Sequence, residues 1–437
     1  MIRHLLVFAA LCAAPCAVAE EKTPAADPVS LPLFEAPRSL DNGFRMTWDQ
    51  SSSLHHLLIV GANHGIHLGT WKLLGGSPFW AYFAEIGVTT AFDVLTVLGP
   101  LGEGWEHEEG HASAMAYVGM PSQQAFNPGS TCDSGSVCGM TDAQIAAVHD
   151  RRAADWGRVQ EAGMETELLN VTRVERDVFF YDRPAYQHVP YLAFNVVNVV
   201  AYRQICVTPE LVTTNDVMAE SPDVLNRDFT GPDCTGWVFD LFRPTTPYAD
   251  RGPHPLGGIR RIRLDSDLTP EEFTYLTRMR NLGFLNFVDP FLFGLSGFDV
   301  PGGFKVGGAV RHHLTDSGDL VEVTLLGRRE PWKLEAALRA YSNHERVFPG
   351  LGAQLHRYPV SVGFLSAGVD LWLQPADHSF YAVDAWPGGA IRVEGALPVI
   401  PHGEAFLRLQ AKTSGWVAGD AALDPALAAS VGVNVVL

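Results

Sequence analysis

The chain has 437 residues, with 31 Lys and Arg against 49 Asp and Glu and a formal net charge of −18 at pH 7. That balance argues against nucleic acids and anionic membrane surfaces as partners. The length allows two domains, each with a core of its own.

Residues 1–19 read as a secretory leader. Arg3 and His4 precede an apolar run from Leu5 to Leu11, and Ala17-Val18-Ala19 supplies a small-residue cleavage site. The expected destination is the periplasm or the outer membrane. Export permits disulfides, and Cys132, Cys138, Cys206 and Cys234 remain after the leader. Of the three possible pairings, the nearest-neighbour one joins Cys132 to Cys138 and Cys206 to Cys234.

The next feature in chain order is a histidine group, His55-His56 and His64-Gly65-Ile66-His67. An apolar helix is expected from Phe79 to about Leu98. It carries Glu85 and Asp93, which are expensive in lipid, so it is not a clean transmembrane segment. After the break at Gly99-Pro100-Leu101-Gly102, a new helix is expected from Trp105 to Val118, ended by Gly119 and Pro121. It contains His107-Glu108-Glu109-Gly110-His111. On a helix, positions four apart share a face, so His107 and His111 can direct their imidazoles to one point. Two neutral imidazoles at that spacing suit Zn²⁺, and Glu108 between them can take a proton from water.

This H-E-x-x-H stretch resembles the zincin metallopeptidases. The resemblance implies a Zn cofactor, His107 and His111 as metal ligands, and Glu108 as catalytic general base in peptide-bond hydrolysis. The metzincin continuation after His111 is missing, so a gluzincin-like arrangement is expected, with the third ligand a Glu on a later helix. The candidate helix runs from Thr141 to about Phe180. On it, Gly163, Val171, Val174 and Val178 form an apolar arc that includes Glu167 and leaves out Glu165. Glu167 is therefore the expected third ligand, with Glu165 in reserve. Gly163, one turn before Glu167, would let another helix come close. Glu85 and Asp93 are expected to orient the ligand imidazoles as hydrogen-bond acceptors. His149, Tyr181 and Tyr186 are possible hydrogen-bond donors to the reaction. His55, His56, His64 and His67, with His107 and His111, are also similar to the clusters of membrane di-iron oxidoreductases. The H-x-x-H-H boxes of those enzymes are absent.

Residues 207–268 are rich in Pro, Asp, Thr and Gly and read as a long irregular excursion that could cover a site. Thr269-Pro270-Glu271-Glu272 is a capping box with Pro at the first helical position, opening a helix to about Phe284.

From about residue 303 the pattern changes to strict alternation. Val321, Val323 and Leu325 alternate with Glu322 and Thr324; Val369, Leu371 and Leu373 alternate with Asp370, Trp372 and Gln374. About eight such segments, separated by turns, predict an antiparallel barrel or sheet. This region resembles the C-terminal part of outer-membrane β-barrel proteins, which implies association with the outer membrane. A soluble sheet with one wet face fits the same alternation.

The expected architecture is α+β: a leader at 1–19, a mostly helical domain at 20–300, and an antiparallel domain at 301–437. The expected function is an exported zinc metallopeptidase acting on a peptide or protein. Two other readings are a non-catalytic outer-membrane barrel with a helical structural or metal-binding domain, and the membrane di-iron oxidoreductase.

Overall fold

In the computed structural model, residues 28–41, 45–96, 102–133 and 135–437 are described; the expected leader at 1–19 lies outside them. The protein is α+β, with helices before residue 300 and a ten-stranded antiparallel sheet.

The helices follow local signals. Helix α1 (Trp48–Leu74) starts at a capping box in which Thr47 Oγ1 accepts from Gln50 N–H and the Gln50 side chain returns to Thr47 N–H. Helix α2 spans Pro78–Thr96, and α3, Glu103–Tyr117, carries the H-E-x-x-H motif. The helix expected from 141 to 180 is two: α4 (Asp142–His149) and α5 (Ala153–Phe180). Arg152, just before α5, is extended, and its side chain reaches forward to Asp155. Helix α6 is Ala185–Cys206, α7 is Asp233–Leu241, and α8 is Pro270–Gly283 with the expected Thr269–Glu272 capping box. Both expected disulfides are present, Cys132–Cys138 and Cys206–Cys234.

Helix α5 is the axis of the molecule. Val171, Val174 and Val178 pack on Ile59 and Val60 of α1 and on Tyr191, Leu192 and Val196 of α6. Met164 and Leu168 pack on Val199, Trp237, Leu276 and Met279. Full burial of such side chains contributes about 1.5–3 kcal/mol each. Helices α3 and α5 come into close contact at Gly110, where a Cβ would strike Thr166 Oγ1 and the Ala162 carbonyl. The glycine allows backbone-to-backbone packing.

The strands are β1 (Pro28–Ala36), β2 (Phe298–Val300), β3 (Phe304–Thr315), β4 (Gly318–Arg329), β5 (Trp332–Ser342), β6 (Val347–Val360), β7 (Gly363–Pro375), β8 (Ala385–Ile400), β9 (Gly403–Lys412) and β10 (Ala426–Val436). They form an up-and-down meander from β2 to β10, and β1 adds to β10 with Val29 opposite Val435. The edges, β1 and β2, do not pair with each other, so the sheet is open where a closed barrel was one expectation. Eight strands follow residue 303, as expected.

Contacts cross the expected boundary at residue 300. β1 comes from the N-terminal part, and α5 packs against β3 and β4. Arg176 of α5 pairs with Glu335 of β5, Phe180 packs on His356 of β6, and Asp49 of α1 pairs with Arg408 of β9. Strands that far apart in the sheet reach α1 and α5 together because the sheet wraps around them. The turns at one end of the sheet are short (301–303, 330–331, 361–362, 401–402), and the connections 376–384 and 413–425 at the other end are long. Helix α5 runs between these ends. Gly157 backs onto Asp316, and Glu161 accepts from Trp416 Nε1 in the long connection. At the far end, Arg328 donates to the carbonyls of Phe179 and Phe180.

Candidate metal centre

Three buried side chains converge near the long-loop end. His107 and His111 lie one turn apart on α3, and Asp233 is the first residue of α7. The two Nε2 atoms are 3.3 Å apart, and Asp233 Oδ2 is 3.1 Å from His107 Nε2 and 3.2 Å from His111 Nε2. These residues could hold a metal ion.

The second nitrogen of each ring settles its orientation. His107 Nδ1 donates to Glu167 Oε1 at 2.7 Å, and that oxygen also accepts from Asn198 Nδ2 at 2.8 Å. His111 Nδ1 donates to the Val159 carbonyl at 2.6 Å. A carbonyl only accepts, so Nδ1 of His111 carries the hydrogen, and in the neutral ring Nε2 presents a lone pair. With His107 in the same tautomer, two lone pairs and a carboxylate oxygen face one another. Such a group needs a shared cation, either protons or a metal.

Electrostatics agree with that reading. Burial alone would raise the Asp233 carboxyl, but the imidazoles of His111 and His107 outweigh it and hold it down at about 2. Burial alone would lower the His107 imidazole; hydrogen bonds to Asp233 and Glu167 reverse this and raise it well above its ordinary value. Burial pushes Glu108 up to about 8, although His107 and His111 pull it down. Glu108 keeps partial access to solvent.

Gly163 of α5 faces both imidazole tips. A Cβ there would strike His107 Nε2 and His111 Nε2. The close approach of helices expected at Gly163 occurs, and what it serves is the space at the ligand tips.

The expected third ligand, Glu167, is not in the group that could hold a metal ion. Glu167 is buried on the expected face, but it meets His107 through Nδ1, on the side away from the converging Nε2 atoms. Glu167 therefore lies behind His107, and Asp233 is the carboxylate of the group that could hold a metal ion. Glu165, the reserve, is buried elsewhere on α5, paired with Arg158 and accepting from Gly419 N–H. Glu85 and Asp93 do not reach the ligand imidazoles. Glu85 accepts from Trp71 Nε1 at 2.8 Å and lies 3.0 Å from His67 Nδ1, while both Asp93 oxygens are buried without a hydrogen-bond partner among the described residues.

Asp233 escaped the sequence reading because it lies in the irregular excursion, 122 residues from His111 in the chain. The available signal was its neighbour Cys234. Pairing Cys234 with Cys206 ties the start of α7 to the end of α6 and brings Asp233 over α3. Tyr202, one turn before Cys206, was missed as well. Its ring is 5.5 Å from that of His107, and its Oη accepts from Asp233 N–H at 3.3 Å. Tyr202 is the phenol beside the cluster. Tyr186 instead donates to Glu85, His149 lies against Asp150 and Tyr248, and Tyr181 lies under Lys333.

The other histidines do not join the cluster. His55 bonds Tyr191 Oη and His56 bonds Asp177, while His67 shares Glu85 and Gln187. Among the described residues, the only group of this kind suited to a metal is His107, His111 and Asp233. Compared with protein-family models, with curated proteins and with solved structures, the chain matches none of them.

Proposed function

We propose that this protein is an exported zinc-dependent hydrolase, a peptidase by the chemistry of its H-E-x-x-H helix, held in the outer membrane by its sheet. The observation that carries the reading is the triangle of two imidazole nitrogens and one carboxylate oxygen with edges of 3.1–3.3 Å. Tetrahedral Zn²⁺ with bonds of about 2.0–2.1 Å has ligand-to-ligand edges of roughly 3.3 Å. Two nitrogens and one oxygen also leave one position of four for water or substrate.

When bound, zinc polarises a carbonyl and makes water more acidic. The residues of the chain do the rest. Glu167 and the Val159 carbonyl keep both imidazoles in the tautomer that offers Nε2. Glu108, beside His107 on α3, would take a proton from the attacking water and return it to the departing amine. Tyr202 Oη, beside Asp233, is placed to donate to the oxygen that gains charge on the reacting carbonyl.

Membrane association is supported by the polarity of the sheet. Its inner face carries ion pairs such as Arg176–Glu335 and Arg339–Asp370, and its outer face carries exposed Leu338, Leu351 and Leu371. A water-soluble sheet has the opposite arrangement.

The test is metal content together with turnover of a mixed peptide library by the purified full chain. About one equivalent of zinc is expected, with hydrolysis lowered about 10²–10⁴-fold in Glu108→Gln while zinc is retained. Zinc without Glu108-dependent turnover leaves a metal-binding scaffold. Absence of zinc, unchanged by His107→Ala, sinks the reading.

A further inference from the structure

We propose that α2 is a lipid-facing stave that closes the gap in the sheet, so that helix and strands form one hydrocarbon-facing belt. The inference rests on the membrane reading of the sheet given above and adds the helix to it.

Helix α2 is inverted relative to a helix in water. Ala81, Glu85, Thr89 and Asp93, spaced four apart on one face, are its buried residues. Phe79, Trp80, Phe83, Val88 and Leu95 are exposed, Trp80 by 62%. A helix that turns carboxylates inward and aromatic rings outward has its polar neighbours inside and an apolar solvent outside. Glu85 has inner partners, since Trp71 Nε1, His67 and Tyr186 Oη surround its carboxylate, while Asp93 is buried without a hydrogen-bond partner among the described residues. Among the described residues no helix is long and apolar enough to cross a membrane by itself. For α2 the inner row of Glu85, Thr89 and Asp93 dilutes its apolar character, and protein covers that row.

The position fits the role. Helix α1 packs on the edge strand β1, α2 packs on α1 and α6, and α6 packs on residues 290–293, which touch β3. Helix α2 therefore packs on the two helices whose contacts lead to the edge strand β1 on one side and to β3, the neighbour of the edge strand β2, on the other. An open strand edge in hydrocarbon leaves backbone groups without partners, whereas a helix satisfies its own. Its 19 residues extend roughly 28 Å, close to the ~30 Å of a bilayer core.

Lipid is the occupant that fits because the exposed apolar residues go all the way round. Leu33 on β1, Leu338 on β5, Leu371 on β7, Val393 on β8 and Val431 on β10 are all exposed. Leu338 is opposite Leu351, and Leu351 opposite Leu371, giving continuous rows across strands. A protein partner or second copy covers one side; a fluid hydrocarbon covers every side. Strands β3 to β10, each 10–16 residues long, are sufficient for tilted crossing.

The test uses the full chain reconstituted in phosphatidylcholine vesicles whose acyl chains are brominated, read by tryptophan quenching. Trp80→Phe and Trp332→Phe, on β5, should each remove part of the quenchable emission. Loss with Trp332→Phe but not with Trp80→Phe overturns the stave and leaves the sheet reading intact. Loss with neither, or a detergent-free soluble dimer, overturns both. As a second measure, Val88→Arg should lower recovery in floated vesicles at least about tenfold relative to Val88→Ala. Equal recovery of the two overturns the stave.

Discussion

Around the candidate metal centre, the rings of Tyr202 and Phe229 lie against the two imidazoles, and polar groups are placed singly, with Glu167 holding His107 and the Val159 carbonyl holding His111. Inside the sheet the rule is reversed. Arg311 meets Glu175 and Asp289, Arg408 meets Asp49 and Glu394, and a polar cavity of about 210 Å³ opens beside Asp49, Arg408 and Glu394. The helical part is held by burial of aliphatic surface. The sheet is held by its hydrogen-bond ladder and by ion pairs to α1 and α5; Leu338, Leu351 and Leu371 turn outward, while Leu314, Leu320 and Leu326 pack inside. Helix α5 belongs to both regions, most of it is buried, and its Arg158, Glu175 and Arg176 are paired with opposite charges inside the protein.

The sharpest way to break this comparison is to remove the one ligand supplied from outside the motif helix. Asp233→Ala should weaken zinc binding by more than about 100-fold, measured by competition with a chelating dye, while the far-UV spectrum is unchanged. Retention of wild-type affinity would remove Asp233 from the site. The same truncation made in both regions comes next. Leu168→Ala, fully buried, should cost about 2–5 kcal/mol, and Leu338→Ala, 51% exposed, within about 0.5 kcal/mol, by thermal or denaturant unfolding in detergent. Equal costs would mean that the outer face of the sheet is packed against protein.

Glu167→Gln should weaken zinc binding about 10–100-fold, less than loss of a ligand, because the amide holds the His107 ring without the charge. An effect as large as that of Asp233→Ala would return Glu167 to the metal. The smallest effect is in pH. His107 in the metal-free protein is raised above its ordinary value, so its proton competes with the metal, and affinity should fall as pH falls. The raised imidazole stabilises the metal-free fold fully below its unfolded value, and this is lost as pH rises through the folded value. Both effects have the same sign. The difference in Tm between zinc-loaded and chelated protein should grow from pH 6 to pH 8, and a constant difference would place the proton elsewhere.

Much of this was written locally. His107, Glu108 and His111 share a helix because a spacing of four is a local property of the backbone. The Thr269–Glu272 cap, the alternation from 303 onward and the two Cys pairings were equally readable from short stretches. The apolar arc of α5 correctly put Glu167 on a buried face, but a face does not say which nitrogen of a ring it meets. Asp233 could not be found that way, since no period links it to α3; a disulfide and a helix start place it there.

The sequence by itself therefore determined the motif helix, the helix opened at Thr269, the two metal-binding imidazole candidates, the carboxylate between them and the alternation of the strands, because each depends on neighbours within a few residues. Tertiary structure alone decided that Asp233 completes the triangle, that Glu167 stands behind it, and that the sheet stays open with α2 packed on α1 and α6. Those outcomes depend on where distant segments meet, and pairwise distance across a fold is not encoded in any local period.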